Sequence, residues 1–543
     1  MIHNPIIPGF HPDPSILRVD NIYYIAQSTF EWMPGISIYR SYDLKNWELI
    51  SHALQTRQQA PLCGVDSACG VWAPALSYDT KNSTFYLTYS VVKGFQNNNF
   101  DIDNYTVSTT NIEGEWSEAI YLHSSGFDPS MFHDQDGRSY VVSLQWEFRI
   151  GYQHPGVIII QEYDKVSREM IGEVSVISRG ATERGCAEGP HLYHRGKYYY
   201  LLIAEGGTGY GHCVTVSRAT SVCGPYEGYH KNPIITSQAE SFAERGVGDS
   251  AKPWRYKEQH YLQKAGHGSI VETPDGEPYI AHLCSRPFVP ELRSVLGRET
   301  AIQKCRWTED GWITLEQDTN IAQEWVAEPR NYKEVPVKQL MELKQFDDEY
   351  LQSYFYTLRE KISESWCQIT EAHTVVLRGR DSLFSKYDQS LIARKVSSFS
   401  YDVETRCKMS IKNHLQMAGL TNYYNHNNFY YLRMYYSETL ESLALGIMVG
   451  EQGKRQELVE ARTALLADTE WVYFKAEVRE RTLQYYYAVV EEEWMAIGPV
   501  LDMTILSDEY AGGFTGSMIG LTAQDLAGKK LEAEFAYLTV IPK

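Results

Sequence analysis

One arrangement of hydrophobic and polar residues recurs five times in the first part of the chain. Each copy begins with a polar or small residue, passes through a proline or glycine into an apolar segment, and then reaches a polar turn and a second, aromatic-rich segment. Two short apolar segments joined by a polar turn predict a pair of antiparallel strands. The copies begin at Asp13, Ala73, Asp128, Glu188 and His267. The spacings of 60, 55, 60 and 79 residues leave room for three or four strands in each copy.

Repeats of this length predict one architecture. In a β-propeller, each meander forms a blade that packs on its neighbours, and the innermost strands surround a central axis. The five copies therefore predict a five-bladed β-propeller over residues 1–325.

The pattern changes beyond residue 325. Nineteen of the 21 prolines lie at or before Pro336, and residues 326–345 are predicted to be a linker. Alternating and apolar runs separated by turns then predict an antiparallel β-sandwich over residues 346–543. The clearest runs are Tyr430–Met434, Leu443–Met448 and Trp471–Val478. One amphipathic segment, Phe346–Ile362, is compatible with a short helix, but the predicted fold class is all-β.

Charge and composition limit the partners of the chain. It carries 69 Asp and Glu against 50 Lys and Arg, a net charge of -19 at pH 7, which argues against nucleic acids and anionic membranes. Its longest apolar run, Tyr198–Ala204, is too short to span a bilayer. The first residues lack the features of a signal peptide, so we expect a cytoplasmic location and nine reduced cysteines.

Three of the five repeats begin with a carboxylate, which makes these residues candidates for catalysis. Asp13, Asp128 and Glu188 would occupy equivalent places at the axial ends of the innermost strands. Carboxyl groups at close quarters acquire different pKa values, so one can serve as a general acid while another serves as a base. The alternative is that each residue caps a turn before a strand, as Asp-Pro often does.

Aromatic residues beside the repeat starts favour a sugar as the ligand. Phe30, Trp72 and Phe127 lie where they would reach the axial cavity, and cleavage of a glycosidic bond uses a pair of carboxyl groups. Packing in the core is the alternative role for these rings. The glycine-rich run at residues 205–211 is followed by no helical pattern, so it is interpreted as a tight turn beside the cavity.

Seven short motifs are distinctive. They are Asn4–Ser15, Gly70–Pro74, Gly126–Ser130, Ala187–His191, Gly266–Ser269, Gly297–Thr300 and Gly513–Gly516. Through these motifs the chain resembles the two-domain β-xylosidases of glycoside hydrolase family 43 over essentially its whole length. The resemblance implies a propeller followed by a sandwich, inversion at the anomeric carbon, and no required cofactor.

The resemblance also implies roles for the carboxylates and their neighbours. Asp13 would be the general base, Glu188 the general acid, and Asp128 the residue that orients the acid and tunes its pKa. Arg298 would bind sugar hydroxyls, for which a guanidinium offers several fixed donors. The predicted walls of the sugar pocket are Phe30, Trp72 and Phe127, closed by Phe514 from the second domain.

The resemblance leaves the role of His267 open. In some relatives the equivalent histidine helps to hold a calcium ion at the propeller axis. Because Ca²⁺ prefers oxygen ligands, a hydrogen-bonded imidazole is the alternative, and His267 would then only contact the substrate.

The expected function is an exo-acting β-1,4-xylosidase that removes xylose from the non-reducing ends of short xylooligosaccharides. An α-L-arabinofuranosidase, or an enzyme with both activities, is the alternative among enzymes. A carbohydrate-binding propeller without catalysis is the alternative from another class, since a fold alone does not fix function. Relatives often form dimers or tetramers, so a homo-oligomer is expected.

Overall fold

The protein is nearly all β-structure in its computed structural model. The structure describes residues 1–96, 99–149, 156–238, 255–337, 345–466 and 469–543. Within these ranges, five antiparallel sheets of four or five strands are followed by two larger sheets. No helix in the described ranges is long and apolar enough to cross a membrane.

The five smaller sheets are the blades of the predicted propeller, and each consists of consecutive strands. The chain starts with β1 (Ile2–His3). Blade 1 contains β2 (Ser15–Val19), β3 (Ile22–Gln27), β5 (Gly35–Ser41) and β6 (Glu48–Leu54), with β4 (Trp32–Met33) outside the sheet. Blade 2 contains β7 (Gly70–Asp79), β8 (Thr84–Gln96), β9 (Asn99–Thr109) and β10 (Ile120–His123). Blade 3 contains β11 (Ser130–His133), β12 (Ser139–Trp146), β13 (Gly156–Asp164) and β14 (Glu169–Ser178).

The last two blades complete the ring. Blade 4 contains β15 (Glu188–Arg195), β16 (Tyr198–Glu205), β17 (Cys213–Ala219) and β18 (Glu227–Gly228), with β19 (Ile235–Thr236) beside β17. Blade 5 contains β20 (Gln263–Glu272), β21 (Pro278–Ser285), β22 (Glu299–Trp307) and β23 (Ile313–Leu315), and β24 (Trp325–Val326) follows. The strands β2, β7, β11, β15 and β20 are innermost and contact one another around the axis.

The ring is closed by the N-terminal segment rather than by a strand exchanged between blades. The backbones of Ile7 and Thr300 bond each other in both directions, at 3.2 and 3.1 Å. The amide side chain of Asn4 likewise bonds the backbone of Ile302 in both directions, at 2.7 and 2.8 Å. Because β1 also pairs with β24, residues 2–11 fasten the start of the chain to blade 5.

The hydroxyl of a serine at the axis, Ser269, joins blade 5 to blade 1. Ser269 Oγ in blade 5 accepts the N–H of Ile16 at 2.9 Å and donates to the carbonyl of Pro14 at 2.8 Å. The residue at the equivalent place in blade 3, Ser130, has a buried hydroxyl with no hydrogen-bond partner among the described residues. The ring closure between blades 5 and 1 therefore depends on Ser269, while Ser130 contributes no such bond.

The second part of the chain forms the predicted sandwich. Its elements are α1 (Asp348–Tyr354), β25 (Thr357–Leu358), β26 (Cys367–Ile369), β27 (Val375–Arg378), β28 (Ser390–Lys395), β29 (Ser400–Met409), β30 (Gln416–Asn425), β31 (Asn428–Ser437), β32 (Ser442–Glu451), β33 (Lys454–Ala464), β34 (Val472–Arg479), β35 (Thr482–Ala488), β36 (Met495–Asp502), a 3₁₀ turn (Met503–Leu506), α2 (Asp508–Ala511), β37 (Met518–Asp525), β38 (Glu532–Phe535) and β39 (Thr539–Pro542). One sheet has the order β26-β27-β38-β29-β34-β35-β36 with β39 beside β29, and the other has the order β28-β37-β30-β31-β32-β33. One apolar core lies between the two sheets.

The amphipathic segment at residues 346–362 is helical over only part of its length. The side chain of Asp347 caps α1 by accepting the N–H of Tyr350. The helix ends at Tyr354 because the next residues are extended and pair elsewhere: Tyr356 bonds Ala393, and β25 pairs with β4 of the propeller. Residues 338–344 of the predicted linker lie outside the described ranges, so the bounds of the linker stay a prediction.

The two domains share an apolar cluster that includes residues of both. The propeller contributes Phe10, Phe30 and Trp32, and the sandwich contributes Tyr356, Leu358, Leu391, Tyr423 and Met518, among others. At this interface the Nζ of Lys395 is buried 4.9 Å from the ring centre of Phe10 and 4.8 Å from that of Tyr356. It has no hydrogen-bond partner among the described residues. Burial lowers the pKa of Lys395 to about 7.

Replacement of Ser269 by alanine should weaken the ring. It would leave the buried N–H of Ile16 without its partner, which we expect to lower the free energy of unfolding by about 1–3 kcal/mol in chemical denaturation. Ser130→Ala is the matched control. It removes a hydroxyl that has no hydrogen-bond partner among the described residues, so the free energy of unfolding should change little. Equal losses in the two variants would contradict this role of Ser269.

Replacement of Lys395 by methionine should stabilise the protein in a pH-dependent way. Between the folded pKa of about 7 and the unfolded value of about 10.4, the unfolded chain binds more protons, so wild-type stability rises with pH. The gain in melting temperature from Lys395→Met should therefore be largest below pH 7 and shrink toward pH 10. Lys530→Met, at an exposed position, is the control; a gain independent of pH would refute the explanation.

Candidate active site

Four of the five repeat starts share an unusual backbone conformation. They have a positive φ, a left-handed conformation that costs roughly 1–3 kcal/mol for residues other than glycine. These are Asp13 (54°), Ala73 (42°), Asp128 (56°) and His267 (53°). In blade 4 the left-handed residue is Gly189 (56°), directly after Glu188. The recurring motif thus encodes a kink in or just before each innermost strand.

These kinks surround one cavity of about 210 Å³ at the axis. All five repeat starts line it, and so do all nine residues that the sequence predicts for the site. The nine are Asp13, Phe30, Trp72, Phe127, Asp128, Glu188, His267, Arg298 and Phe514. This volume is smaller than the roughly 300–1,000 Å³ of typical ligand pockets, so the cavity suits a short ligand rather than a polymer.

A second cavity, of about 350 Å³, lies farther along the same innermost strands. Its lining includes Ile16, Ser130 and His191, which follow the repeat starts by two or three residues. Its one carboxylate, Glu272, is bonded to Trp307 and Arg195, at 2.7 and 3.2 Å. The second cavity therefore lacks a pair of carboxyl groups for acid and base catalysis.

Asp13 is held in its ionised form. Its Oδ2 accepts the hydroxyl of Ser28 at 2.7 Å, and its Oδ1 lies 3.3 Å from the guanidinium of Arg298 and 3.9 Å from Nδ1 of His267. Burial alone would raise the pKa of Asp13, but Arg298, followed by His267 and Ser28, holds the pKa below its usual value. A buried carboxylate that stays charged can accept a proton from water.

Asp128 has the opposite electrostatic environment. Burial, and then the charges of Glu188 and Asp13, raise the pKa of Asp128 well above its usual value. Its Oδ2 accepts the N–H of Gly189 at 3.0 Å, which fixes it beside the backbone of the blade 4 carboxylate. The neighbouring carboxylates thus favour the protonated form of Asp128.

Arg298 connects the catalytic cavity to the sandwich domain. Besides its contact with Asp13, it donates from Nε to the carbonyl of Phe514 at 3.0 Å. Its guanidinium lies 5.0 Å from the ring centre of Phe514 and 5.6 Å from that of Phe30. One arginine thus contacts both the acidic group at the axis and the aromatic residue contributed by the second domain.

The aromatic lining extends further than the sequence predicts. Trp72 contacts Phe127 and Phe514, with ring centres 6.0 and 5.5 Å apart. Three further rings, absent from the sequence prediction, line the same cavity: Phe95, Phe100 and Trp146. Phe95 lies near the end of β8, Phe100 lies near the start of β9, and Trp146 is the last residue of β12. These three rings belong to no recurring motif, so the repeat pattern of the sequence does not reveal them.

The glycine-rich run at residues 205–211 forms the expected turn beside the cavity. Gly207 and Thr208 line the cavity, together with Cys186 on the preceding loop. Because β16 ends at Glu205 and β17 begins at Cys213, the run joins two strands of one blade.

Two family models match the chain and divide it as the architecture does. Residues 2–313 match the model of glycosyl hydrolases family 43, and residues 344–541 match the β-xylosidase C-terminal concanavalin A-like domain. The chain belongs to glycoside hydrolase family 43. Family 43 enzymes act with inversion and need no cofactor for catalysis. The five-bladed propeller and the β-sandwich are the folds of the two matched domains.

Named relatives of this glycoside hydrolase cover the whole chain. It is 40% identical to xylosidase/arabinosidase 43B of Humicola insolens, over 100% of this chain and 98% of the relative. It is 38% identical to xylan 1,3-β-xylosidase of a Vibrio species, over 99% and 98% of the two chains. The crystal structure of xylan β-1,4-xylosidase from Bacillus halodurans C-125 matches with a TM-score of 0.93 and 42% identity, over 100% of both chains.

Calcium at His267 stays a prediction for this family 43 enzyme. The described residues contain no group of three or more His, Cys, Asp or Glu side chains arranged to hold a metal. The carboxylate nearest His267, Asp13, is already approached by the Arg298 cation, which disfavours a second cation there. Burial lowers the pKa of His267 below its usual value, although the charge of Asp13 opposes the shift.

Proposed function

We propose that this glycoside hydrolase is an exo-acting, inverting β-1,4-xylosidase that releases xylose from the non-reducing ends of short xylooligosaccharides. The observation that carries the proposal is the small aromatic cavity in which Asp13, Asp128 and Glu188 converge. A non-catalytic sugar-binding propeller has no use for three buried or half-buried carboxyl groups at one place, because each is costly to bury. The names of the relatives support a xylose-releasing activity.

We propose that Asp13 is the general base. Inversion requires a water molecule on the face of the sugar opposite the leaving group, activated by an ionised carboxylate. Asp13 suits this task because Arg298 and His267 stabilise its charge. The same guanidinium presents donors that can bind the hydroxyls of the sugar.

Glu188 is the general acid in this proposal, and Asp128 positions it. The leaving oxygen needs a proton in the transition state, and an acid that shares a proton with a neighbouring carboxyl group can supply it. Asp128, held by the N–H of Gly189, supplies that neighbouring group. Phe30, Trp72, Phe127 and Phe514 surround the sugar and exclude water.

Two alternatives concern the sugar and the linkage. A relative named as a xylosidase/arabinosidase supports a dual enzyme that also cleaves α-L-arabinofuranosides. A relative named as a 1,3-β-xylosidase makes the 1,3-linkage a second candidate. A cytoplasmic location and a homo-oligomeric state, dimer or tetramer, stay predictions from the sequence.

The test is to incubate purified protein with β-1,4-xylobiose, β-1,3-xylobiose, and the nitrophenyl β-xyloside and α-L-arabinofuranoside. We expect release of xylose from β-1,4-xylobiose, with α-xylose as the first anomer in proton NMR. Faster cleavage of the arabinofuranoside or of the 1,3-linked dimer would select the corresponding alternative. Absence of cleavage of all four substrates would exclude the proposed function.

Replacement of Glu188 by alanine should affect substrates according to their leaving groups. We expect kcat/KM on xylobiose to fall by about 10²–10⁴-fold, because the departing sugar needs a proton. The nitrophenyl β-xyloside, whose leaving group departs as an anion, should lose much less. Glu169→Ala, at an exposed position in blade 3, is the control. Equal losses on both substrates would count against Glu188 as the acid.

Replacement of Phe514 by alanine should weaken substrate binding. The lost apolar contact with the sugar should cost about 1–3 kcal/mol, measured as a higher KM for xylobiose. Phe384→Ala is the matched control, because Phe384 packs against the same apolar cluster but is not part of the cavity lining. Unchanged kinetics in Phe514→Ala would show that the sandwich domain does not complete the site.

A further inference from the structure

The segment that carries Phe514 is fastened to the propeller at several points. We call residues 512–516 the Phe514 loop. Just after it, the N–H of Ser517 donates to the carbonyl of Val295 at 3.0 Å. Just before it, the N–H of Asp508 donates to the carbonyl of Ser294 at 3.3 Å. With the bond from Arg298 to the carbonyl of Phe514, these contacts align the loop along residues 294–298 of the propeller.

A glycine permits the close approach of these two segments. A Cβ on Gly297 would lie 1.8 Å from the carbonyl oxygen of Thr515, and Gly297 has a φ of 71°. Any side chain at this position would push the Phe514 loop away from the propeller. The glycines in two separate sequence motifs, Gly297–Thr300 and Gly513–Gly516, thus belong to one contact.

A buried tyrosine holds the Phe514 loop from the sandwich side. Tyr424, near the end of β30, is 1% exposed. Its hydroxyl donates to Oδ1 of Asp508 at 2.7 Å and accepts the N–H of Thr515 at 3.3 Å. Because Asp508 precedes Phe514 and Thr515 follows it, this one hydroxyl bonds the chain on both sides of Phe514.

A second anchor lies next to the first. The carboxylate of Glu509 receives Lys264 Nζ at 2.6 Å, the N–H of Ser294 at 2.6 Å and the hydroxyl of Ser294 at 2.8 Å. Lys264 and Ser294 belong to the propeller, whereas Glu509 belongs to α2 of the sandwich. The two anchors together fix the loop to both domains.

We propose that Tyr424 is a positioning residue of the active site, which places the Phe514 ring and the Arg298 guanidinium by holding the Phe514 loop. Tyr424 is not among the residues that line the catalytic cavity, so it acts through others. The path runs from Tyr424 to the loop, from the Phe514 carbonyl to Arg298, and from Arg298 to Asp13. The effect on catalysis rests on the proposed function, but the positioning of the loop does not.

The competing explanation is that Tyr424 only stabilises the sandwich, since it also belongs to the main apolar core. Tyr430 provides a matched control for that explanation. It lies in the same core, on the neighbouring strand β31, and its hydroxyl donates to the carbonyl of Asp502 at 2.9 Å. Tyr424→Phe and Tyr430→Phe each remove one buried hydroxyl, but only the first removes a bond to the Phe514 loop.

The first experiment compares these two variants. We expect Tyr424→Phe to raise KM for xylobiose by about 3- to 10-fold, with a smaller change in kcat, because a lost buried hydrogen bond releases the loop. Tyr430→Phe should also lower the melting temperature but leave KM unchanged. A similar KM in both variants and in the wild type would overturn the proposal.

The second experiment is a double-mutant cycle with Phe514→Ala. If Tyr424 acts in part by placing the Phe514 ring, Tyr424→Phe should raise KM less in the Phe514→Ala background than in the wild type. The effect that remains reports on Arg298, because its bond to the backbone carbonyl at residue 514 survives the substitution. Additive effects of the two substitutions would overturn the proposal.

A measurement of xylose binding distinguishes failure of the proposed function from failure of the positioning role of Tyr424. If the wild type cleaves none of the four glycosides, the proposed function fails, and the affinity for xylose itself, measured by calorimetry, replaces KM as the readout. Tyr424→Phe should then weaken xylose binding while Tyr430→Phe does not. Equal affinities in the three proteins, or no detectable xylose binding by any of them, would overturn the positioning role.

Discussion

Closure of the propeller ring by the N-terminal segment is the constraint on which the site depends. No strand is exchanged between the first and last blades, so residues 2–16 must bond blade 5 directly. These bonds bring Asp13, near the start of the chain, to within 4 Å of His267 and Arg298, more than 250 residues later. The Asp13 carboxylate near one terminus thus obtains its stabilising cation from the last blade, which is its neighbour in the closed ring. Most of the first sequence motif serves this closure, and only Asp13 itself is a candidate for the chemistry.

The electrostatics of the cavity follow from that arrangement. The carboxyl groups of Asp13 and Asp128 have similar intrinsic acidity but different neighbours. Arg298 stabilises the charge of Asp13, whereas burial and two other carboxyl groups disfavour the charge of Asp128. Such a separation of pKa values lets one cavity hold a base and an acid at the same pH. The left-handed backbone at the repeat starts is tolerated because the packed blades on either side determine the conformation.

The sandwich contributes to the lining of the axial cavity as well as forming a second domain. Its Phe514 ring completes the aromatic wall, and its backbone carbonyl orients the arginine that faces Asp13. The interface that makes this contact is largely apolar, yet it buries the unpaired Nζ of Lys395 close behind Phe10. A stability that varies with pH is therefore built into the same interface that positions the catalytic groups.

The repeating sequence by itself determined the propeller and the repeat starts that meet at its cavity, and the resemblance to family 43 added Arg298 and Phe514. A repeating pattern determines a repeating fold, because equivalent residues of equivalent blades must meet at the axis. Only the tertiary structure decided which other groups join them. Phe95, Phe100 and Trp146 belong to no recurring motif, and Tyr424 is one of 40 tyrosines in the chain. The helix at residue 348 ends early because a propeller strand pairs with the residues that follow it. Such contacts join positions hundreds of residues apart, and no local pattern encodes them.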